Sequence, residues 1–537
     1  MSLARNTLVQ STLTLGSRIL GFARDLVILA RLGQGPISDA FLTALIFPNV
    51  FRRLFAEGAF AQAFVPLYAK SQAEGGAAEA ARIASESMSF LLAAAAGFCV
   101  LAQLAMPWIM FGLASEYIDS PDVFSLAIIL TQITMPYLLC MTLASLLSGI
   151  LNTGGRFALT AAVPTLLNVF TLVAMLPLHE PRQAALAGAI AVTAAGFAQA
   201  ALLWWAVGKL NAATGVTLRF TVPRLTPDVK QILKLSIPGV IAGGAIQINT
   251  LISQFFVGSD EGARTALYNA DRLYQLPLGL VGVAIGLALV PRLARSFALK
   301  DSAATQKSLD DGIALSMALT LPAAAAMVVM PAFIMDAALV RGAFTSENAA
   351  RCAEILRQFA WGVPAFVLAK VLTPPFFARQ DTRTPMHFAL LTIGLNTALG
   401  ATLFFLLQGQ KIDGVIGLAI ATSTAAWANI FLLAFRLKRD DVYRVGRENW
   451  VRLIKILFAT AVMSGIIGLA SWQRDLVINI LWNKEVAMLV VALVGASVYA
   501  VCTLLVGAVK ISDLRGLLKR DSETAGRNGG AATMDGL

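Results

Sequence analysis

Two adjacent arginines, Arg52 and Arg53, interrupt the apolar stretch AFLTALIFPNVFRRLFAEGAFAQAFVPLY. The apolar stretch before it, LVQSTLTLGSRILGFARDLVILARL, carries Arg18, Arg24 and Asp25. A charge at the centre of a bilayer costs between ~2.5 and more than ~10 kcal/mol. Four guanidiniums in two such stretches therefore imply a shared, hydrated, cationic cavity. Guanidinium forks match the oxygens of a phosphate two bonds at a time. The chemistry these residues suit is the binding of an anion.

Helical spacing refines the set. Ser17, Gly21 and Arg24 fall on one stripe of a helix, and Arg18 and Asp25 on the adjacent one. Arg53 and Glu57 stand four apart and can pair. Asp39 lies at the outer start of the second stretch. Further along, Asp271–Arg272 interrupts LYNADRLYQLPLGLVGVAIGLALVP, and Lys370 sits within FVLAKVLTPPFF. Internal salt bridges and snorkelling at helix ends would account for some of these charges. The balance leaves a surplus: Arg18, Arg24, Arg52, Arg53, Arg272 and Lys370 face Asp25, Glu57 and Asp271, an excess of ~3 cations that a low-dielectric site tolerates only with a bound anion or many waters.

The elements that must hold these residues follow from composition. The chain has 537 residues, is 57% hydrophobic and only 14% charged, about half the charged share of an ordinary soluble domain. About fourteen apolar stretches are each long enough to cross ~30 Å of hydrocarbon: 8–31, 38–67, 83–113, 122–151, 158–178, 183–208, 229–258, 264–297, 308–338, 348–378, 385–408, 413–437, 452–472 and 486–508. The expected fold is an all-α polytopic membrane protein. Proline interrupts several stretches, at Pro48, Pro136, Pro164, Pro277, Pro364 and Pro374–Pro375, where kinks are expected.

The net charge of +11 is a topology signal rather than a mark of nucleic-acid binding. With the N-terminus in the cytoplasm, inner segments collect about 25 Lys and Arg and outer loops about seven, as the positive-inside rule requires. The inner set includes Lys70, Arg82, Arg219, Arg224, Arg379, Arg383 and the run from Arg436 to Arg452; both termini are then cytoplasmic. The four cysteines lie in or beside apolar stretches without a CxxC spacing, and the two histidines, His179 and His387, are far apart. Neither residue type suggests a metal site, and no cofactor is expected. The start of the chain does not resemble a cleavable signal peptide, because Arg18 and Arg24 break its apolar core.

An internal repeat organises the chain. AFVPLYAK at 63–70 matches ALVPRLAR at 288–295, and ILNTGGRF at 150–157 occupies the place that FFARQDTRTP takes after the tenth stretch. Six spans per copy is an even number, so the copies run parallel, with a substrate site expected between them near the midplane. The expected domains are an N-lobe at 1–225, a C-lobe at 226–440, two additional helices at 441–510, and a cytoplasmic tail at 511–537 whose composition predicts disorder.

The segments SRILGFARD, SDAFLTALIFPNVFRRLFAEGAFAQAFVPLYA, ILNTGGRF, YNADRLYQLPLGLVGVAIG and KVLTPPFFARQDTRTP resemble, in content and order, the MurJ (MviN) family of lipid II flippases in the MOP exporter superfamily. The resemblance implies two pseudo-symmetric six-helix lobes plus two C-terminal helices bordering a groove for the undecaprenyl tail. It also implies a cationic cavity for the diphosphate and sugar-peptide head group of lipid II. The family's essential arginines map onto Arg18, Arg24, Arg53 and Arg272. Asp25, Asp39, Arg52, Glu57 and Lys370 match family positions too, and Asp25, Asp39, Glu57 and Asp271 are expected to form pairs that change between states. The implied partners are lipid II, membrane lipids and other cell-wall synthesis proteins, and the implied setting is the bacterial inner membrane, with the protein acting as a monomer.

Two departures from the family matter. Gln275 stands where some members have Glu. The stretches at 229–258 and 385–408 also lack the acidic residues of a proposed sodium site, offering only Asn249 and Asn396. Membrane potential is therefore the expected drive. A flippase for another polyprenyl-linked glycan and a MATE-like drug–cation antiporter are the competing readings, the second disfavoured because its pocket should be lined by carboxylates. A membrane enzyme would need a catalytic carboxylate pair or metal motif, and none is visible. A scaffold would leave the membrane-depth arginines unexplained.

Overall fold

A computed structural model describes residues 3–55, 59–214, 217–237, 255–257, 260–299, 301–379 and 381–508. Among these residues every regular element is a helix, as expected where the bilayer offers no partner for backbone N–H and C=O groups. Ten of the helices are long and apolar enough to cross a membrane. Of the expected stretches, most of 229–258 and the tail after 508 lie outside the described residues.

The chain divides into two compact units, Met1–Thr265 with Arg341–Thr345, and Ala266–Val340 with Ser346–Leu537. The first contains α1 (Leu3–Leu32), α2 (Pro36–Ala44), α3 (Ile46–Phe55), α4 (Ala59–Leu113), α5 (Pro121–Thr134), α6 (Tyr137–Thr153), α7 (Phe157–Ala162), α8 (Thr165–Met175), α9 (Pro181–Thr214) and α10, described over 227–237. Its apolar interior has two centres. One gathers Phe64, Tyr68, Leu147, Leu151 and Leu203, the other Phe41, Met106, Met110, Leu130 and Met175.

The second unit holds most of α11 (Ala263–Ala298), then α12 (Ser302–Val329), α13 (Pro331–Leu339), α14 (Ser346–Ala360), α15 (Val363–Leu372), α16 (Pro374–Ala378), α17 (Arg383–Gly409), α18 (Gly414–Arg439), α19 (Arg447–Trp472), α20 (Arg474–Leu481) and α21 (Lys484–Leu505). Val367, Val371, Phe376, Ile313 and Leu437 form one interior cluster. Phe333, Ile467 and Val491 form another, which joins α13 to α19 and α21.

Proline breaks the expected helices where its ring and missing N–H forbid continuation. α5 gives way to α6 at Met135–Pro136, α7 to α8 at Val163–Pro164, and α15 to α16 at Thr373–Pro374. Further interruptions shape the chain, and the expected stretch 38–67 is itself broken at Leu45 between α2 and α3. The stretch 308–338 is two helices, because Pro331 starts α13 after Met330 leaves helical geometry. Within α4, Gly76 adopts φ 75°, a conformation that costs a residue with a side chain ~1–2 kcal/mol. It separates the segment that holds Lys70 from Gly76–Leu113, which is long and apolar enough to cross a membrane.

Lipid tails give two apolar helices no hydrophobic reason to associate, so close packing of small residues does that work. α17 and α18 show it most directly. A Cβ added at Gly417 would lie 2.8 Å from the backbone carbon of Leu403, and one at Gly414 would lie 2.8 Å from Phe404. A backbone atom cannot swing aside as a side-chain tip can. Gly417→Ala should therefore cost about 1–3 kcal/mol, read as a lower melting temperature of the purified protein in detergent. Gly394→Ala on α17, with nothing within 4 Å of the added carbon, should leave it unchanged; equal behaviour of the two variants would refute the packing argument.

Candidate functional site

The first cluster is on α1. Asn168 of α8 donates from Nδ2 to the Ser17 carbonyl at 3.1 Å, and a Cβ at Gly21 would stand 3.5 Å from that same amide. The glycine thus lets α8 approach the turn that leads into Arg24. The Arg24 guanidinium donates to Asp25 Oδ1 from Nε at 3.0 Å and Nη2 at 2.6 Å. Both side chains are largely withdrawn from the surface, at 12% and 7% exposure. Asp25 therefore pairs with its immediate neighbour rather than with Arg18, which shares its stripe and is exposed. The consequence is an oriented cation: the carboxylate fixes one edge of the guanidinium plane.

A second cluster surrounds Asp39. This carboxylate is fully buried. It accepts from the backbone N–H of Gly262 at 2.7 Å and of Thr265 at 2.9 Å, from Thr265 Oγ1 at 2.5 Å and from the Tyr117 hydroxyl at 3.0 Å. The cation that acts on it is Arg264, itself 1% exposed. Arg264 donates to Thr43 Oγ1 at 2.5 Å and to the Leu113 carbonyl at 2.6 Å. The start of α2, the end of α4, the turn at 114–117 and the segment 262–265 thus converge on the bonds of Asp39 and Arg264. Sequence reading found Asp39 and missed Arg264, whose position at the start of an apolar stretch looks like an ordinary helix end. The available signal was its spacing, eight residues before Arg272 on the same helix.

The third cluster lies on α11 in the second unit. Arg272 donates from Nε to the Tyr268 hydroxyl at 3.2 Å, one turn back, and its guanidinium carbon lies 5.3 Å from the centre of that ring. Gln275 donates to Asp271, so the residue that departs from the family pattern holds the carboxylate beside Arg272. Tyr274 stacks on Phe359 at 4.8 Å and on Phe366 at 5.8 Å, which fixes the rotation of the helix about its axis. Lys370 is exposed on α15.

Each unit thus carries its own members of the expected set: Arg18, Arg24, Asp25 and Asp39 in the first, Asp271, Arg272 and Lys370 in the second. Arg52 and Arg53 lie on α3; their side chains, all of Glu57 and Asn249 lie outside the described residues. Asn396 is buried on α17. Among the described residues no group of three or more His, Cys, Asp or Glu is placed to hold a metal ion.

The lipid II flippase MurJ family profile matches residues 28–486. A probable lipid II flippase MurJ of Rhizobium tropici is 37% identical over 536 residues, covering 97% of either chain. Its counterpart in Rhizobium meliloti (strain 1021) is 37% identical over 544 residues and 98% of either chain. Among solved structures, lipid II flippase MurJ in an inward closed conformation aligns with TM-score 0.76 at 23% identity, over 93% of this chain and 98% of the other. An inward-facing MATE family multidrug transporter of the MOP superfamily aligns at TM-score 0.62 and 12% identity, over 80% of this chain and 98% of its own. At such identities the two structures speak to the fold.

The Asp39 cluster generates a direct test. Replacing Arg264 by Met removes its charge-assisted bonds to Thr43 and Leu113 and should destabilise the protein by roughly 1.5–3 kcal/mol or more. Asp39→Asn should do less, and the double variant should recover part of the Arg264→Met loss. Thermal unfolding of the four proteins in one detergent closes the cycle. Strictly additive losses would show that the two residues do not act together.

Proposed function

Because this chain belongs to the lipid II flippase MurJ family, we propose that it carries lipid II, the undecaprenyl-diphosphate-linked peptidoglycan precursor, from the inner to the outer leaflet of the cytoplasmic membrane by alternating access. The observation that carries this reading is a pair of arginines, Arg24 and Arg272, partly buried on helices rich in apolar residues and each oriented by a neighbour on its own helix. Their guanidinium planes suit the non-bridging oxygens of a diphosphate. The work is transport, with no bond made or broken.

Arg24, Arg53 and Arg272 clamp the diphosphate in this scheme, while Arg18, Arg52 and Lys370 draw the head group in. Asp25 sets Arg24 and Tyr268 sets Arg272, and Glu57 is the proposed partner of Arg53. Asp39 and Arg264 brace α2 against the turn after α4 and the start of α11. The positive-inside asymmetry assigns both termini to the cytoplasm. The lobes 1–225 and 226–440 alternate, and the helices of 441–510 border the path of the lipid tail. The chain works as a monomer alongside other cell-wall synthesis proteins. A MATE-like cation antiport is disfavoured by the state of the carboxylates. Among the described residues Asp25 and Asp39 are the acids buried in the first unit; Asp25 is paired with Arg24, and Asp39 is occupied by four hydrogen bonds.

Arg24→Ala and Arg272→Ala should each abolish complementation of a flippase-depleted host while the protein still inserts at normal levels. Lysine should restore little at either position, because an ammonium lacks the two-pronged fork. Full activity of both alanine variants would show that these charges only fill structure. The drive is separable too. Each charge moved across 100 mV is worth ~2.3 kcal/mol, and the stretches 229–258 and 385–408 contain no Asp or Glu. Dissipating the potential at constant sodium should stop flipping in vesicles, whereas exchanging sodium for potassium at constant potential should not. Arrest by sodium removal alone would overturn the coupling argument.

A further inference from the structure

Between α9 and α10 the chain runs without regular structure from Thr217 to Thr226, yet it is tied closely to α4. The backbone N–H of Arg219 donates to Ser85 Oγ at 3.0 Å, and that of Thr221 to Ser89 Oγ at 2.9 Å. Four helical residues rise about 6 Å and two extended residues span about 6.6 Å, so serines four apart match alternate N–H groups of an extended strand. The pairing then reverses: Thr226 Oγ1 donates to Glu86 at 2.9 Å, and Arg82 reaches Asp228 at 2.7 Å. The segment therefore climbs along α4 from Ser85 to Ser89 and returns, forming a loop whose tip is Thr221–Val222–Pro223. Ser85 and Ser89 are buried, and Leu218 anchors the loop's first arm in the interior.

What the tip presents is unusual for a polar connector. Phe220 is 67% exposed, Val222 69% and Leu225 49%. Arg219 and Arg224 alternate with them and are exposed as well, and Lys230 and Lys234 follow on α10. Phe220 stacks flat on Trp204 at 5.5 Å. On the next residue of α9, Lys209 lies 3.9 Å from the ring centre of Trp205. Tryptophan followed by lysine at the end of a membrane helix marks the headgroup level, so the stack sets the depth of the loop.

We infer that residues 217–226 form an interfacial wedge that inserts Phe220, Val222 and Leu225 at the headgroup–acyl boundary, where Arg219 and Arg224 bind the phosphates of anionic phospholipids. Charge complementarity selects that occupant: apolar side chains that seek the acyl region alternate with guanidiniums that seek phosphate, on the face that the positive-inside asymmetry assigns to the cytoplasm. The ties to Ser85, Ser89, Glu86 and Arg82 hold the wedge rigid, so a lipid contact there bears on α4 and on the start of α10. The inference concerns bulk lipid and stands apart from the transported substrate.

The test uses the full-length purified protein. Phosphatidylglycerol should raise its melting temperature in detergent more than phosphatidylcholine does at equal mole fraction. Arg219→Gln with Arg224→Gln should lose about half or more of that difference, since each cation near an anionic surface contributes comparably. The control pair Arg439→Gln with Arg444→Gln should keep it. An unchanged difference in the first pair overturns the inference, and so does an equal rise with inorganic phosphate, which would mark a free-anion site. A second measurement stands if the glutamine pair fails to fold. Bimane on Val222→Cys, in a background without the native cysteines, should be quenched by shallowly brominated lipids in vesicles, whereas bimane on Glu74→Cys should not. Equal lack of quenching at both positions places the tip in water and ends the proposal.

Discussion

An ionised group carried into a membrane must find its partners within the protein, because hydrocarbon supplies none and the cost of going without is several kcal/mol. Asp39 shows how much architecture this one requirement recruits. Four donors meet it, drawn from the turn after α4, from Gly262 and from the start of α11, where Arg264 also stands. Arg264 needs partners in turn and takes them from Thr43 and Leu113. A pair of charges thereby fixes four pieces of chain that apolar packing alone would let slide past one another.

The second unit solves the same problem with a different hub. Asp310 on α12 accepts from the Tyr443 hydroxyl at 2.6 Å and from Asn449 Nδ2 at 2.9 Å, and Gln306 donates to it at 3.2 Å. This ties the connector between α18 and α19 to α12. Burial, reinforced by the Asp310 carboxylate, pushes the Tyr443 phenol well above its ordinary range, so the hydroxyl stays a donor at any physiological pH. Beside α13, Ser346 donates to Asp336 at 3.0 Å, and the Lys484 ammonium stands 4.0 Å from the same carboxylate. Carboxylate hubs set which helices meet, and glycine contacts such as Gly417 against Leu403 set how closely.

Much of this was legible in the chain because apolar length and proline are local signals. The spans expected at 385–408 and 413–437 are α17 and α18 almost to the residue, and Pro136, Pro164 and Pro374 interrupt helices as their missing N–H requires. Partner choice was less legible. Stripe geometry set Asp25 beside Arg18, whereas the carboxylate turns to Arg24, its neighbour in sequence. A side chain's rotamer decides that, and periodicity cannot. Arg264 was overlooked for a related reason: a cation at a helix end usually snorkels, and only a buried carboxylate some 225 positions earlier makes it an interior residue. The loop at 217–226 was invisible because its order comes from two serines on another helix.

The separation in sequence between bonded partners sorts the charged residues by the work they can do. Arg24 is held by Asp25, one position away, and Arg272 by Tyr268, four away. Such partners travel with the helix that carries them, so the guanidinium keeps its orientation however that helix moves. Asp39 is bonded across 223 and 226 positions to Gly262 and Thr265. Those bonds tie α2 to the start of α11 within the first unit. Local pairs therefore preserve a side chain's orientation on its own helix, and long-range pairs hold distant pieces of chain together. That distinction separates Arg24 and Arg272, each held within its own helix, from Asp39 and Arg264, held across the sequence.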